Sequence, residues 1–89
     1  MKIELFYTPG CAQCAAVTPA LEAAALAAVP GVEWLEVNVL DSLDRAVDLG
    51  VLTLPALAVD GELAFAALPS PAQLVAELLK RNRERGHGS

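Results

Sequence analysis

Two cysteines, Cys11 and Cys14, are the only thiols in this 89-residue chain, and they stand in the run TPGCAQC, residues 8–14. The thiolate is the reactive form of cysteine, as nucleophile and as metal ligand. The spacing therefore allows three readings: a dithiol that opens and closes as a disulfide, half of a metal site, or two thiols close together by accident. A closed structural zinc site takes four ligands, and the chain adds only one histidine, His87, so such a site would need a second subunit. If a helix starts at Cys11, its unpaired backbone N–H groups and the positive end of its dipole favour thiolate there. Cys14 then follows one turn on, on the same face, at a separation that a disulfide spans with little backbone movement. Redox exchange is the chemistry this pair suits, with metal binding as the alternative.

The chain is long enough for one domain with a modest core. Its hydrophobic fraction of 55% includes many alanines, which bury little area, so packing must rest on Ile, Leu, Val, Phe and Trp34. A net charge of −5 argues against nucleic-acid binding, which calls for a basic stripe. Lys80, Arg81, Arg83 and Arg85 cluster near the C-terminus, where they suit the last turns of a helix. Met1 runs straight into a strand-like segment without the basic start and apolar stretch of a leader, so a cytoplasmic location is expected. The Ala-rich segment from Cys11 to Val29 carries Gln13, Thr18, Pro19 and Glu22, and is expected to be a buried helix of a soluble domain rather than a membrane span. In a reducing compartment, cysteines this close serve exchange or metal binding rather than a standing structural disulfide.

Elements that would position the pair follow from the patterning. KIELFY, residues 2–7, alternates polar and apolar and should form a strand ending at Thr8-Pro9-Gly10. A helix from near Cys11 should end around Pro30-Gly31. Residues 32–39 put Leu35, Val37 and Val39 on one face of a half-buried strand, with Trp34, Glu36 and Asn38 on the other. Asp41 or Ser42 can cap a short helix carrying Leu43, Ala46 and Val47, with Gly50 in the left-handed conformation at its end. Strands 56–59 and 62–66 flank the hairpin turn Asp60-Gly61. Ser70, Pro71 and Gln73 form a helix start with a capping box, and Leu74, Val75, Leu78 and Leu79 form its buried stripe. The order βαβαββα gives an α/β fold with a mixed four-stranded sheet flanked by helices. The domain is expected over residues 1–82, with 83–89 as a frayed tail.

With these elements in place, the chain resembles the thioredoxin superfamily over essentially its whole length, above all its short members of glutaredoxin size. The CAQC pair opens the first helix. Pro19 stands five residues after Cys14, where the family has a proline that kinks the active-site helix. Thr53-Leu54-Pro55 looks like the family's cis-proline loop, and Asp60-Gly61-Glu62 like its last hairpin. The resemblance implies a thioredoxin-like fold and thiol–disulfide exchange, with Cys11 attacking and Cys14 resolving. It also implies that Pro55 is cis and faces the cysteines across a substrate groove, with Gly10, Thr53, Leu54 and Ala66 as further groove residues. No metal or organic cofactor is expected. The implied partners are protein disulfides and a reductant of the thioredoxin-reductase type, with the chain acting as a monomer.

Several positions depart from the family pattern. Gly10 replaces the usual tryptophan before the first cysteine, and Ala12-Gln13 replaces Gly-Pro. Leu5 stands where thioredoxins place a buried aspartate, so water or a carboxylate brought near by folding must assist deprotonation of Cys14. FAALPSP, residues 65–71, lacks the glycine and acid with which glutaredoxins hold glutathione. Trp34 is expected to pack beneath a helix or at the sheet edge rather than serve as a substrate platform. The alternatives to a protein-disulfide reductant are a non-catalytic binding module, an intersubunit metal or iron–sulfur site, and a glutathione-dependent glutaredoxin.

Overall fold

In the computed structural model, which describes the backbone of residues 1–87 and the side chains of residues 1–83, β1 (Lys2–Tyr7) runs through the interior of the sheet. It is followed by α1 (Ala12–Ala28), β2 (Glu33–Asn38), α2 (Leu43–Leu49), β3 (Ala56–Val59), β4 (Glu62–Phe65) and α3 (Pro71–His87). The four strands lie in the order β2-β1-β3-β4. β1 pairs in parallel with β2, from Lys2 opposite Glu33 to Tyr7 opposite Asn38. It pairs antiparallel with β3, from Ile3 opposite Val59 to Phe6 opposite Ala56. Asp60 and Gly61 close the β3–β4 hairpin with φ of 51° and 83°, the positive values that match a two-residue turn to the twist of its strands.

Alternation along β1 divides the core in two. Ile3 and Leu5 join the larger cluster with Leu21 and Ala25 of α1 and Leu74 and Leu78 of α3. Phe6 joins a smaller cluster with Val39, Ala46 of α2 and Ala58. Helices thus cover both faces, which is why β3 is buried at every position. Among the described residues no helix is long and apolar enough to cross a membrane.

Glu4 shows how tightly the second face is covered. The alternation of KIELFY reads it as a polar-face residue, yet it is only 4% exposed. Its carboxylate accepts two bonds from Arg45 of α2, at 2.7 and 3.1 Å, and these bonds hold its pKa below the usual carboxylate value. The same fork fixes the roll of α2. At about 100° per residue, turning Ala46 and Leu49 toward the sheet while Arg45 reaches Glu4 carries Leu43 and Val47 to the other side. They are 62% and 68% exposed, so of the three apolar residues expected on this helix only Ala46 is buried. Gly50 ends α2 with φ 77°, as expected, while Ser42 occupies the N-cap position without a side-chain bond.

Two further corrections concern Leu79 and Leu35. Leu74 and Leu78 of α3 are fully buried, but Leu79 is 47% exposed, because one buried i,i+4 pair sets the stripe and the next position points about 100° away. Leu35 of β2 is exposed, while Val37 and Val39 on the same face pack into the smaller cluster. The capping box of α3 forms as expected: the Ser70 N–H donates to Gln73 Oε1 at 2.9 Å, and the Gln73 N–H donates to Ser70 Oγ at 3.1 Å. Arg81, from the basic cluster, bonds Glu77 and Glu62 and ties α3 to β4. The helix backbone continues to His87. The expected tail therefore falls partly outside the described residues, as do the side chains of Arg85 and His87.

Two measurements check this packing. Leu74→Ala should lower stability by about 2–5 kcal/mol, whereas Leu79→Ala should change it by no more than about 0.5 kcal/mol, both read from urea unfolding. Arg45→Ala should lower the urea midpoint at neutral pH. A carboxylate whose folded pKa is depressed stabilises the fold above its unfolded pKa and loses that contribution as pH falls through the folded value. The gap between parent and Arg45→Ala should therefore close on acidification below about pH 4.

Candidate redox site

The site is built where β1 hands the chain to α1. After Tyr7 the chain turns through Thr8-Pro9-Gly10, and Gly10 takes φ 85°, a value that β-carbon-bearing residues adopt at a cost. Cys11 is the N-cap residue, with extended backbone, and its N–H donates to the Thr8 carbonyl at 3.3 Å. Its sulfur accepts the N–H of Cys14 at 3.2 Å, the position an N-cap oxygen usually takes. Cys11 and Cys14 form a disulfide with a Cα–Cα separation of 5.3 Å. Cys11 is partly exposed and Cys14 is 5% exposed. Helix geometry thus presents one sulfur and covers the other.

Pro19 lies inside α1, where it withholds the N–H that the Ala15 carbonyl would otherwise accept. Directly before it, the buried Thr18 hydroxyl donates to the Cys14 carbonyl at 2.5 Å. Leu21 and Ala25, fully buried one and two turns on, anchor the rest of α1. The helix end that carries the cysteines is therefore fixed to the core by its other half.

A pocket of about 390 Å³ opens behind the disulfide. Both cysteines line it, with Gly10, Leu5 and Thr18, and so do two carboxylates, Glu22 of α1 and Glu36 of β2. The sequence called for water or a carboxylate brought near Cys14 by folding, and neither glutamate was among the candidate site residues. The signal was present in the register, since Glu36 is the β2 partner of Leu5, and reading it needed the parallel pairing. Among the described residues no group of three or more His, Cys, Asp or Glu side chains could hold a metal ion.

The second loop approaches from β3. Phe6 pairs with Ala56, the first residue of β3, so the loop ending at Pro55 enters the sheet near the end of β1 that leads to the cysteines. The Leu54–Pro55 peptide is cis. The Thr53 hydroxyl donates to the Ala66 carbonyl at 2.6 Å, which joins this loop to the end of β4. Thr53, Leu54 and Ala66 are exposed and Pro55 is partly so. None of the four lines the pocket behind the disulfide. Trp34 packs against the larger cluster, with its indole N–H buried and unpaired, so its place is structural, as expected.

Residues 1–80 match the thioredoxin domain family. The chain belongs to the thioredoxin family. Among curated relatives of known name, thioredoxin from Methanocaldococcus jannaschii is 31% identical over 81 residues, covering 91% of this chain and 95% of that protein. A probable thioredoxin from Methanothermobacter marburgensis is 24% identical over 74 residues, covering 83% of this chain and 87% of its own. The fold is similar to that of thioredoxin 1 from Thermosipho africanus, with a TM-score of 0.72 at 21% identity over 98% of this chain and 99% of that one. Mitochondrial thioredoxin 3 from Saccharomyces cerevisiae gives 0.65 at 25% identity, over 89% and 76% of the two chains. A thioredoxin-family chain with a disulfide-forming C-x-x-C pair is a thiol–disulfide oxidoreductase.

In the reduced protein the exposed N-cap sulfur should alkylate first. Across a pH series with iodoacetamide, Cys11 should be labelled at lower pH and faster than Cys14, because helix N-terminal donors favour its anion while burial shields Cys14. Peptide mapping reads the result, and equal labelling of both would contradict the assignment.

Proposed function

We propose that this oxidoreductase reduces disulfides of other proteins in the cytoplasm, as a monomer, and is itself restored by a reductase of the thioredoxin-reductase type. The observation that carries the reading is the asymmetry of the pair, a partly exposed Cys11 at the helix N-cap and a buried Cys14. Cys11 thiolate attacks the substrate disulfide, and one substrate sulfur leaves. Cys14 then attacks the Cys11 sulfur, the second substrate sulfur leaves, and two electrons have passed to the substrate. The Cys11–Cys14 disulfide remains for the reductant, and no metal or organic cofactor takes part.

Gly10, Thr53, Leu54, Pro55 and Ala66 are the residues assigned to the substrate groove. The loop that leads to Pro55 presents apolar side chains, with Leu52 94% and Leu54 40% exposed. An extended protein segment can cover such a rim, and a small charged peptide gains little from it. Two polar groups of the segment that would have to bind glutathione are already engaged. The Ala66 carbonyl accepts from Thr53, and Ser70 is engaged in the α3 capping box.

A Cys14→Ser variant tests this directly, since a mixed disulfide at Cys11 then has no internal resolving thiol. Incubated with cell extract, it should retain proteins through a reducible bond, identified by mass spectrometry. The parent disulfide should be reduced efficiently by a thioredoxin-reductase-type enzyme, and slowly and without saturation by glutathione. Capture of glutathione alone, together with saturable glutathione-dependent turnover, would replace this reading with a glutaredoxin one.

A further inference from the structure

When Cys14 attacks the Cys11 sulfur it must lose its proton, and it does so where burial disfavours the thiolate. It is 5% exposed, and Leu5, which lines the same pocket, offers no acceptor. Two carboxylates reach that pocket, Glu22 and Glu36. Glu22 lies eight residues beyond Cys14, about 12 Å along the helix at 1.5 Å per residue. Glu36 is the register partner of Leu5, so its backbone lies one strand spacing, about 4.8 Å, from Leu5, which lines the pocket with Cys14. It also shares a strand face with Trp34, which packs against the cluster that α1 covers. Glu36 is itself exposed, so a proton received there can pass to bulk water.

We propose that Glu36 accepts the Cys14 proton in the resolving step, directly or through water in the pocket. As the Cys14 sulfur bonds to the Cys11 sulfur, its proton goes to the Glu36 carboxylate. The bond between Cys11 and the substrate breaks, and the substrate sulfur leaves with the electron pair. In the reverse direction Glu36 returns the proton to the Cys14 thiolate. The titratable groups around Glu36 in this pocket are Cys11 at the N-cap, Cys14 and Glu22 from α1 and Tyr7 from β1, and no Lys, Arg or His lines it. A carboxylate that was only a neighbouring charge would have the opposite effect, since it would disfavour the Cys14 anion and slow the attack.

The proposal rests on the thiol–disulfide exchange reading, and one experiment separates the two. Reduced protein mixed with a chromogenic aryl disulfide releases one aryl thiolate as Cys11 is captured and a second as Cys14 resolves. Glu36→Gln should leave the first release unchanged and slow the second about tenfold or more at neutral pH. Its second phase should steepen to about tenfold per pH unit, because hydroxide becomes the remaining base. Glu33→Gln, on the same strand outside the pocket, should change neither phase. An unchanged first release and an unchanged urea midpoint show that Glu36→Gln is folded. A second release that is unaffected or faster in Glu36→Gln, or that is slowed only in Glu22→Gln, overturns the assignment. Absence of a second release from the parent itself would overturn the exchange reading.

Discussion

The interior position of β1 is the constraint on which the rest of this structure depends. Paired with β2 on one edge and β3 on the other, β1 can tilt or slide only by breaking two ladders at once. Its side chains commit both faces, Ile3 and Leu5 to the larger core and Phe6 to the smaller one. Because its C-terminal end is fixed, the turn at Thr8-Pro9-Gly10 and the N-cap at Cys11 are fixed with it. Register with β3 delivers the Pro55 loop to the same edge of the sheet. The reactive pair therefore sits where the short turn after β1 enters α1, at the N-cap and first turn of a helix that the core holds.

Within that frame α1 has two tasks that its length separates. Leu21 and Ala25 hold its second half against the sheet. In its first turn the N–H of Cys14 points at the Cys11 sulfur. The interior proline lies between the two halves, and the Thr18 hydroxyl gives the Cys14 carbonyl an additional donor beside it. An exposed sulfur on a rigid mount can meet a partner and still keep the geometry needed for the second sulfur to displace it. Leu5 brings no acid to the pocket, yet the neighbouring strand and the later turns of α1 each supply a carboxylate to it.

Charge plays a different part on the opposite face. Glu4 and Arg45 link the interior strand to the shortest helix, and their fork decides which way that helix rolls. A two-turn helix carries too little apolar surface to orient itself by burial, and Ala46 is its one buried residue. The exposed Leu43 and Val47 follow from that choice.

By itself the sequence determined the elements and the reactive pair. Local signals are strong there: alternation in KIELFY, Pro and Gly at the ends of α1, the Asp60-Gly61 turn and the Ser70–Gln73 capping box depend on neighbours within a few residues. The C-x-x-C spacing places two thiols one turn apart wherever the helix lies. Tertiary structure decided what period and spacing leave open, namely which positions of an amphipathic stripe meet a neighbour and which residues from distant segments share a space. Leu43, Val47 and Leu79 look buried by pattern and are exposed, because helix roll is set by partners far away in sequence, Arg45 through Glu4 in one case and the sheet surface in the other. Glu4 looks exposed by alternation and is buried, because alternation cannot say whether the second face is covered. Glu36 reaches the cysteine pocket only through the parallel register of β2 with β1, a pairing between segments about thirty residues apart that no local rule encodes.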